Sequence, residues 1–124
     1  MAHNSNRPTS PHLQVYKLPL TGIISISHRV TGVMLSAGLV LVVFMLSSLH
    51  SEQSYVAMQQ LMDNGFLRLI FWGFIYALFF HLCHGVRHLI WDAGVGFAKE
   101  TLDLYAKYEL AAAFVLTFFV FVTF

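Results

Sequence analysis

Apolar residues fall along this chain in three long runs, at 23–49, 66–90 and 108–124, preceded by a polar arm and separated by two polar connections. The first two runs exceed the roughly 20 residues that cross a hydrocarbon core of about 30 Å, and the third is close to the minimum of about 17. The pattern predicts an all-α integral membrane protein with three transmembrane helices. Residues 1–22 carry Pro8, Pro11 and Pro19 among Ser, Thr and Asn, so they read as an extended arm with no helical period. That arm is unlike a signal peptide. Residues 50–65, with Glu52, Gln53, Gln59, Gln60, Asp63 and Asn64, read as a loop with one short surface helix. Residues 91–107 hold most of the remaining charge and read as the second connection. Arm and spans together make a single membrane domain over 1–124, or a piece of a larger assembly.

Polar residues inside the runs are the informative exceptions. In HLCHGVRHLIWD (81–92), a step of about 100° per residue places His81, His84, Gly85, His88 and Asp92 within one arc of roughly that width. Ionisable groups at membrane depth are costly and usually face a bundle interior or a cofactor. Such a stripe, beside a glycine, is shaped for a cofactor or a partner helix. In IISISHRVTGVMLS (23–36), Ser25, His28, Arg29, Gly32 and Ser36 share a second face. Arg29 lies about 9 Å below the inner end of the first helix and His81 about 13 Å below that of the second, at 1.5 Å rise per residue. Antiparallel helices let the two stripes meet in the same half of the membrane. Imidazole deeper and guanidinium shallower is the order that suits a haem, with iron in the bundle and propionates toward the inner water. For each histidine taken alone, an interhelical hydrogen bond is the competing use. Gly22, Gly32 and Gly85 also read as close-packing points. Arg87 points off the histidine stripe and reads as a snorkelling, topology-setting charge. Asp92 reads as a cap or as a holder of the His88 ring.

Charge sets the orientation. Arg7, Lys17 and Arg29 precede or open the first span, and Arg87, Lys99 and Lys107 flank the second connection, whereas the first connection has only Arg68 at its rim. The amino terminus and second connection therefore face the inner side. Tyr16, Trp91, Tyr105 and Tyr108 fall near that interface, where aromatic belts form. The composition agrees with a membrane protein: 57% hydrophobic and 10% charged, net charge +1, mean hydropathy +0.68. A near-zero net charge gives no case for nucleic acid. The single cysteine, Cys83, excludes an internal disulfide and most thiolate metal sites, and inside an apolar helix it reads as inert.

Three segments in order, RPTSPHLQVY (7–16), SISHRVTG (25–32) and the histidine–glycine–arginine–histidine–aspartate series of 81–92, resemble the cytochrome b subunit of succinate dehydrogenase, the larger of the two usual membrane anchors of respiratory complex II. The resemblance covers essentially the whole chain. It implies a bundle shared with a second small membrane-anchor subunit, which carries the flavoprotein and iron–sulfur subunits on its cytoplasmic or matrix face. It implies haem b, held by one histidine from each anchor, and a ubiquinone site. The family's ligand position, four before the glycine, is His81. Ser25 and Arg29 match positions lining the ubiquinone pocket, and His28 and Arg29 match positions near the haem propionates. His84 departs from the family pattern and offers an alternative ligand within one turn; with His88 and Asp92 it is otherwise a candidate for a supporting role around the haem.

The residues support the same chemistry independently. A quinone needs hydrogen bonds to two carbonyl oxygens; Ser25 can donate one, and Arg29 supplies positive potential where negative charge develops. No dicarboxylate site, flavin motif or cluster-binding cysteine set is present, so no residue here is expected to be catalytic for succinate, and that step belongs to other subunits. A histidine-box di-iron enzyme would need several such boxes. The other reading is a haem-free structural anchor. The expected location is a bacterial cytoplasmic (inner) membrane rather than the mitochondrial inner membrane.

Overall fold

The computed structural model describes residues 16–123. The expectations for residues 1–15, including Arg7, Pro8 and Pro11, lie outside the described residues. The order is α1 (Leu20–Ser47), a 3-10 turn (Ser48–His50), α2 (Glu52–Met62), α3 (Gly65–Asp92) and α4 (Lys99–Thr123). Three of these helices are long and apolar enough to cross a membrane. At 1.5 Å per residue the 28 residues of α1 and of α3 each measure about 42 Å, and the 25 of α4 about 37 Å. Each exceeds the roughly 30 Å hydrocarbon core.

Local chemistry sets the helix ends. The Pro19 carbonyl accepts from the Gly22 and Ile23 amides at 3.0 and 3.1 Å and opens α1. The Ser51 side chain accepts from the Ser54 amide and opens α2. Asn64 accepts from the Phe66 and Leu67 amides and opens α3. Each satisfies donors that a helix start leaves unpaired. Gly94 and Gly96 take φ of 80° and 87°, the left-handed region that stops α3 and redirects the chain into α4.

The short surface helix anticipated in the first connection is α2. The second connection differs from its reading as a loop, because α4 begins at Lys99, nine residues before the apolar run. The residues KETLDLYAKY are mostly good helix formers with no Gly or Pro to interrupt them, so the helix extends out of the apolar segment into the charged one.

The interior is thin. Ile24, Ala77, Phe80, Ala106 and Ala113 are its buried apolar residues. Small residues let the helices close: a Cβ on Gly38 would lie 3.0 Å from the Phe74 ring. Around this seam the surface is apolar almost throughout, with Val33, Leu39, Val40, Phe66, Leu69 and Phe119 among the most exposed side chains. That is the surface of a protein whose solvent is lipid or another membrane helix.

Candidate functional site

The two polar stripes meet where α1 crosses α3. His28 and His81 stack with ring centroids 3.9 Å apart and planes 17° from parallel. Gly32 makes the approach possible, since a Cβ there would lie 3.1 Å from His81 Cε1. His81 Nδ1 lies 3.2 Å from the His28 carbonyl oxygen and 3.2 Å from Thr31 Oγ1. Thr31 Oγ1 donates to that same carbonyl at 2.9 Å. A carbonyl can only accept, so His81 Nδ1 carries the proton and Nε2 holds the lone pair. A ring nitrogen pinned by a backbone carbonyl, with the other left as lone pair, is the usual preparation of a metal-ligating histidine.

His81 also ends an apolar cavity of about 640 Å³ between α1 and α3, whose walls include Gly32, Leu35, Phe74 and Leu78 and whose far end is lined by Met58 and Met62 of α2. An opening of this size and character suits a large, flat, mostly apolar group. His81 is half-buried and meets this opening. His84 is different: it is 1% exposed, enclosed between α3 and α4.

His28 stands against all three histidines of α3, its ring centroid 3.9, 4.5 and 5.7 Å from those of His81, His84 and His88, while other members of the two stripes fall away from the cluster. On α3, His84 turns to α4 while Gly85 has nothing within 4 Å of a would-be Cβ, so it is not a packing point within this chain. His88 and Asp92 are exposed. Asp92 does not hold His88: no hydrogen bond or ion pair joins them among the described residues. On α1, His28 and Gly32 face α3, whereas Arg29 and Ser36 lie at the flank and are exposed, with Ser25 half-buried beside them. Arg29 therefore sits at the edge of the histidine cluster, open to whatever covers this face.

Arg87 corrects its reading as a snorkelling charge. It is 6% exposed and its Nη1 donates to Glu109 Oε2 at 3.1 Å. Its Nη2 donates to the Leu102 carbonyl at 2.7 Å, and its guanidinium lies 4.7 Å over the Trp91 ring. Glu109, itself 6% exposed, accepts from His84 Nδ1 on its other oxygen at 2.5 Å. The sequence reading passed over Glu109. The available signal was a carboxylate one residue inside the third apolar run, a placement that needs a partner.

With Nδ1 committed to Glu109, His84 presents Nε2, which is buried and makes no hydrogen bond; His28 Nε2 is in the same condition. The His28 and His84 rings are 4.5 Å apart. With His88 they bring one ligand atom each within 4.8 Å of one another. Orphaned buried nitrogens are expensive and mark a place where a polar group of a ligand or partner belongs. The prepared His81 beside an apolar cavity, and the orphaned His28 nitrogen next to it, fit a haem.

Comparison with known proteins follows the same line. Residues 3–123 match the family described as succinate dehydrogenase/fumarate reductase transmembrane subunit. The chain is 38% identical over 115 residues to a succinate dehydrogenase cytochrome b556 subunit of Paracoccus denitrificans, covering 92% of this chain and 88% of the relative. It is 34% identical over 113 residues to the cytochrome b556 subunit of Rickettsia felis, covering 91% and 89%. It is 36% identical over 127 residues to the cytochrome b560 subunit of Reclinomonas americana, covering 98% and 88%. The chain belongs to the succinate dehydrogenase/fumarate reductase transmembrane subunit family.

Proposed function

We propose that this chain is the cytochrome b membrane anchor of a succinate:ubiquinone oxidoreductase, holding haem b jointly with a second small anchor subunit and forming part of the ubiquinone site. The observation that carries the reading is His81: Nδ1–H bound to the His28 carbonyl, Nε2 left as lone pair, and an apolar cavity of about 640 Å³ at its side. His84 is the weaker candidate for ligation. A haem shared between subunits needs a ligand on an open face, and His84 is enclosed by α4 and bound to Glu109.

When bound, the haem supplies one-electron storage and transfer, and the protein supplies position and electrostatics. His81 would offer Nε2 to the haem iron and is kept in orientation by Thr31 and the His28 carbonyl. His28 and Arg29 would hold the haem's carboxylates: His28 brings an unpaired ring nitrogen and Arg29 a guanidinium fork at the exposed flank. Ser25, one turn before Arg29, donates to a quinone carbonyl oxygen, and Arg29 stabilises the charge that develops on reduction. The exposed apolar surfaces of α1, α3 and α4 are where the second anchor and lipid cover the bundle. Dicarboxylate oxidation takes place in the flavoprotein subunit, and the iron–sulfur subunit hands electrons to the inner face, where the start of α1 and the segment 91–107 lie. The membrane-spanning helices and the Paracoccus and Rickettsia relatives support a bacterial inner membrane as the location.

The test is the dithionite-reduced minus oxidised spectrum of the purified complex. A b-type band in the wild type that is lost or displaced in His81→Ala, and kept in His84→Ala, is the expected result. Loss in His84→Ala with an unchanged His81→Ala spectrum moves the ligand to His84. No band in the wild type leaves a haem-free structural anchor.

A further inference from the structure

The Arg87–Glu109–His84 network has no part in ligation or quinone binding as read above, yet it places two formal charges inside a membrane-spanning bundle. His84 is 1% exposed, and Arg87 and Glu109 are each 6% exposed. Taking such charges out of water costs several kcal/mol per ion, and an apolar trio of similar volume joins two helices as well or better. A helix clip alone does not account for them.

Their position does. Glu109 Oε1 bonds the His84 ring at 2.5 Å. That ring lies 4.5 Å from His28, and His28 lies 3.9 Å from His81, centroid to centroid. A carboxylate and a guanidinium thus stand behind the histidine cluster, two ring contacts from the nitrogen assigned to iron. Each is held in place. Glu109 is bound on both oxygens, and Arg87 is held by Glu109, the Leu102 carbonyl and the Trp91 face. Fixed charges in a low-dielectric interior act strongly and over distance.

We infer that this network sets the midpoint potential of the haem, with Glu109 as a positioning residue that orients His84 and contributes negative charge, and Arg87 as the opposing positive charge. The inference rests on the haem reading above. Reduction adds one electron to the haem. A nearby carboxylate disfavours that gain and a nearby guanidinium favours it, so the two contributions oppose. Removing the carboxylate alone makes the haem easier to reduce, and removing the guanidinium alone makes it harder. Removing both restores a potential close to the original. A clip with a purely structural role moves stability in all three cases but does not give potential shifts of opposite sign.

The experiment is redox potentiometry of the purified complex, read at its b-type band. Glu109→Gln is expected to lower the oxidised-to-reduced ratio at a fixed ambient potential about tenfold, and Arg87→Gln to raise it about tenfold, for a charge change at this kind of distance. Tenfold corresponds to ~59 mV for a one-electron couple. Arg87→Gln/Glu109→Gln and the charge-keeping Glu109→Asp are expected to stay near the wild-type ratio. Shifts of the same sign in the two single variants, or no shift in either, overturn the inference. Where a single variant does not assemble, the double variant and Glu109→Asp decide: displacement of either from the wild-type potential overturns it, and retention by both supports it. The wild-type spectrum is taken first, and its lack of a b-type band would remove the haem reading itself rather than this inference alone.

Discussion

Glu109 of α4 accepts a 2.5 Å hydrogen bond from Nδ1 of His84 of α3, 25 positions earlier in the chain, inside the bundle. The bond decides which ring nitrogen of His84 is left over. It also gives Arg87 a counter-charge, without which a guanidinium would be stranded among apolar helices.

Stability tests that contact first. Glu109→Ala leaves Arg87 buried without its carboxylate and His84 without its acceptor. The expected loss is about 3–5 kcal/mol, the usual result of removing one partner from a buried pair. Arg87→Met/Glu109→Met is expected to recover most of it, because both charges are gone. Thermal dispersal of the solubilised complex, followed by release of subunits, measures both. A double variant as unstable as Glu109→Ala would mean that packing, rather than charge, dominates at this position.

Gly32 faces His81 so closely that a Cβ would stand 3.1 Å from Cε1. Gly32→Ala is expected to assemble, since the neighbour is a side chain on an open cavity, but to tilt the His81 ring and disturb its bond to the His28 carbonyl. The b-type spectrum is expected to shift or broaden while subunit content stays unchanged. An unaltered spectrum would show that the ring accommodates the methyl elsewhere.

Arg29 is exposed at the flank of α1, with Ser25 half-buried one turn before it. Arg29→Ala is expected to reduce quinone-linked turnover much more than succinate oxidation by a soluble artificial acceptor, measured on one membrane preparation and normalised to covalent flavin. Arg29→Lys keeps the charge without the planar fork and is expected to be intermediate. Ser25→Ala removes one hydrogen bond, worth roughly 0.5–1.5 kcal/mol. Equal losses in both assays would point to assembly rather than to the quinone site.

Topology is checked by labelling. In a Cys83→Ala background, a cysteine at Gln53 in α2 is expected to react with an impermeant reagent from the outer side, and one at Asp103 near the start of α4 is not. Both positions are exposed. The opposite pattern would reverse the orientation inferred from Lys and Arg.

The sequence by itself determined the three spanning helices, because apolar runs of sufficient length leave the backbone no other way to satisfy its hydrogen bonds in lipid. It also determined that histidines of α1 and α3 lie in the same half of the bundle, since helical rise alone fixes their depth. The short helix in the first connection was legible from composition. The extent of α4 was not. Charge at Lys99, Glu100, Asp103 and Lys107 looks like a loop when judged by hydropathy, although those residue types favour helix. The division of each stripe was equally out of reach. A helical period says which residues share a face, but two helices can share one face between them, and only packing decides that His81 meets α1, that His84 touches both His28 of α1 and Glu109 of α4, and that Arg87 turns to α4. The pairing of Glu109 with His84 and Arg87 depends on the register of α4 against α3. No local pattern encodes that register; it is chosen by the fit of Ala106 and Ala113, both fully buried, against the neighbouring helices.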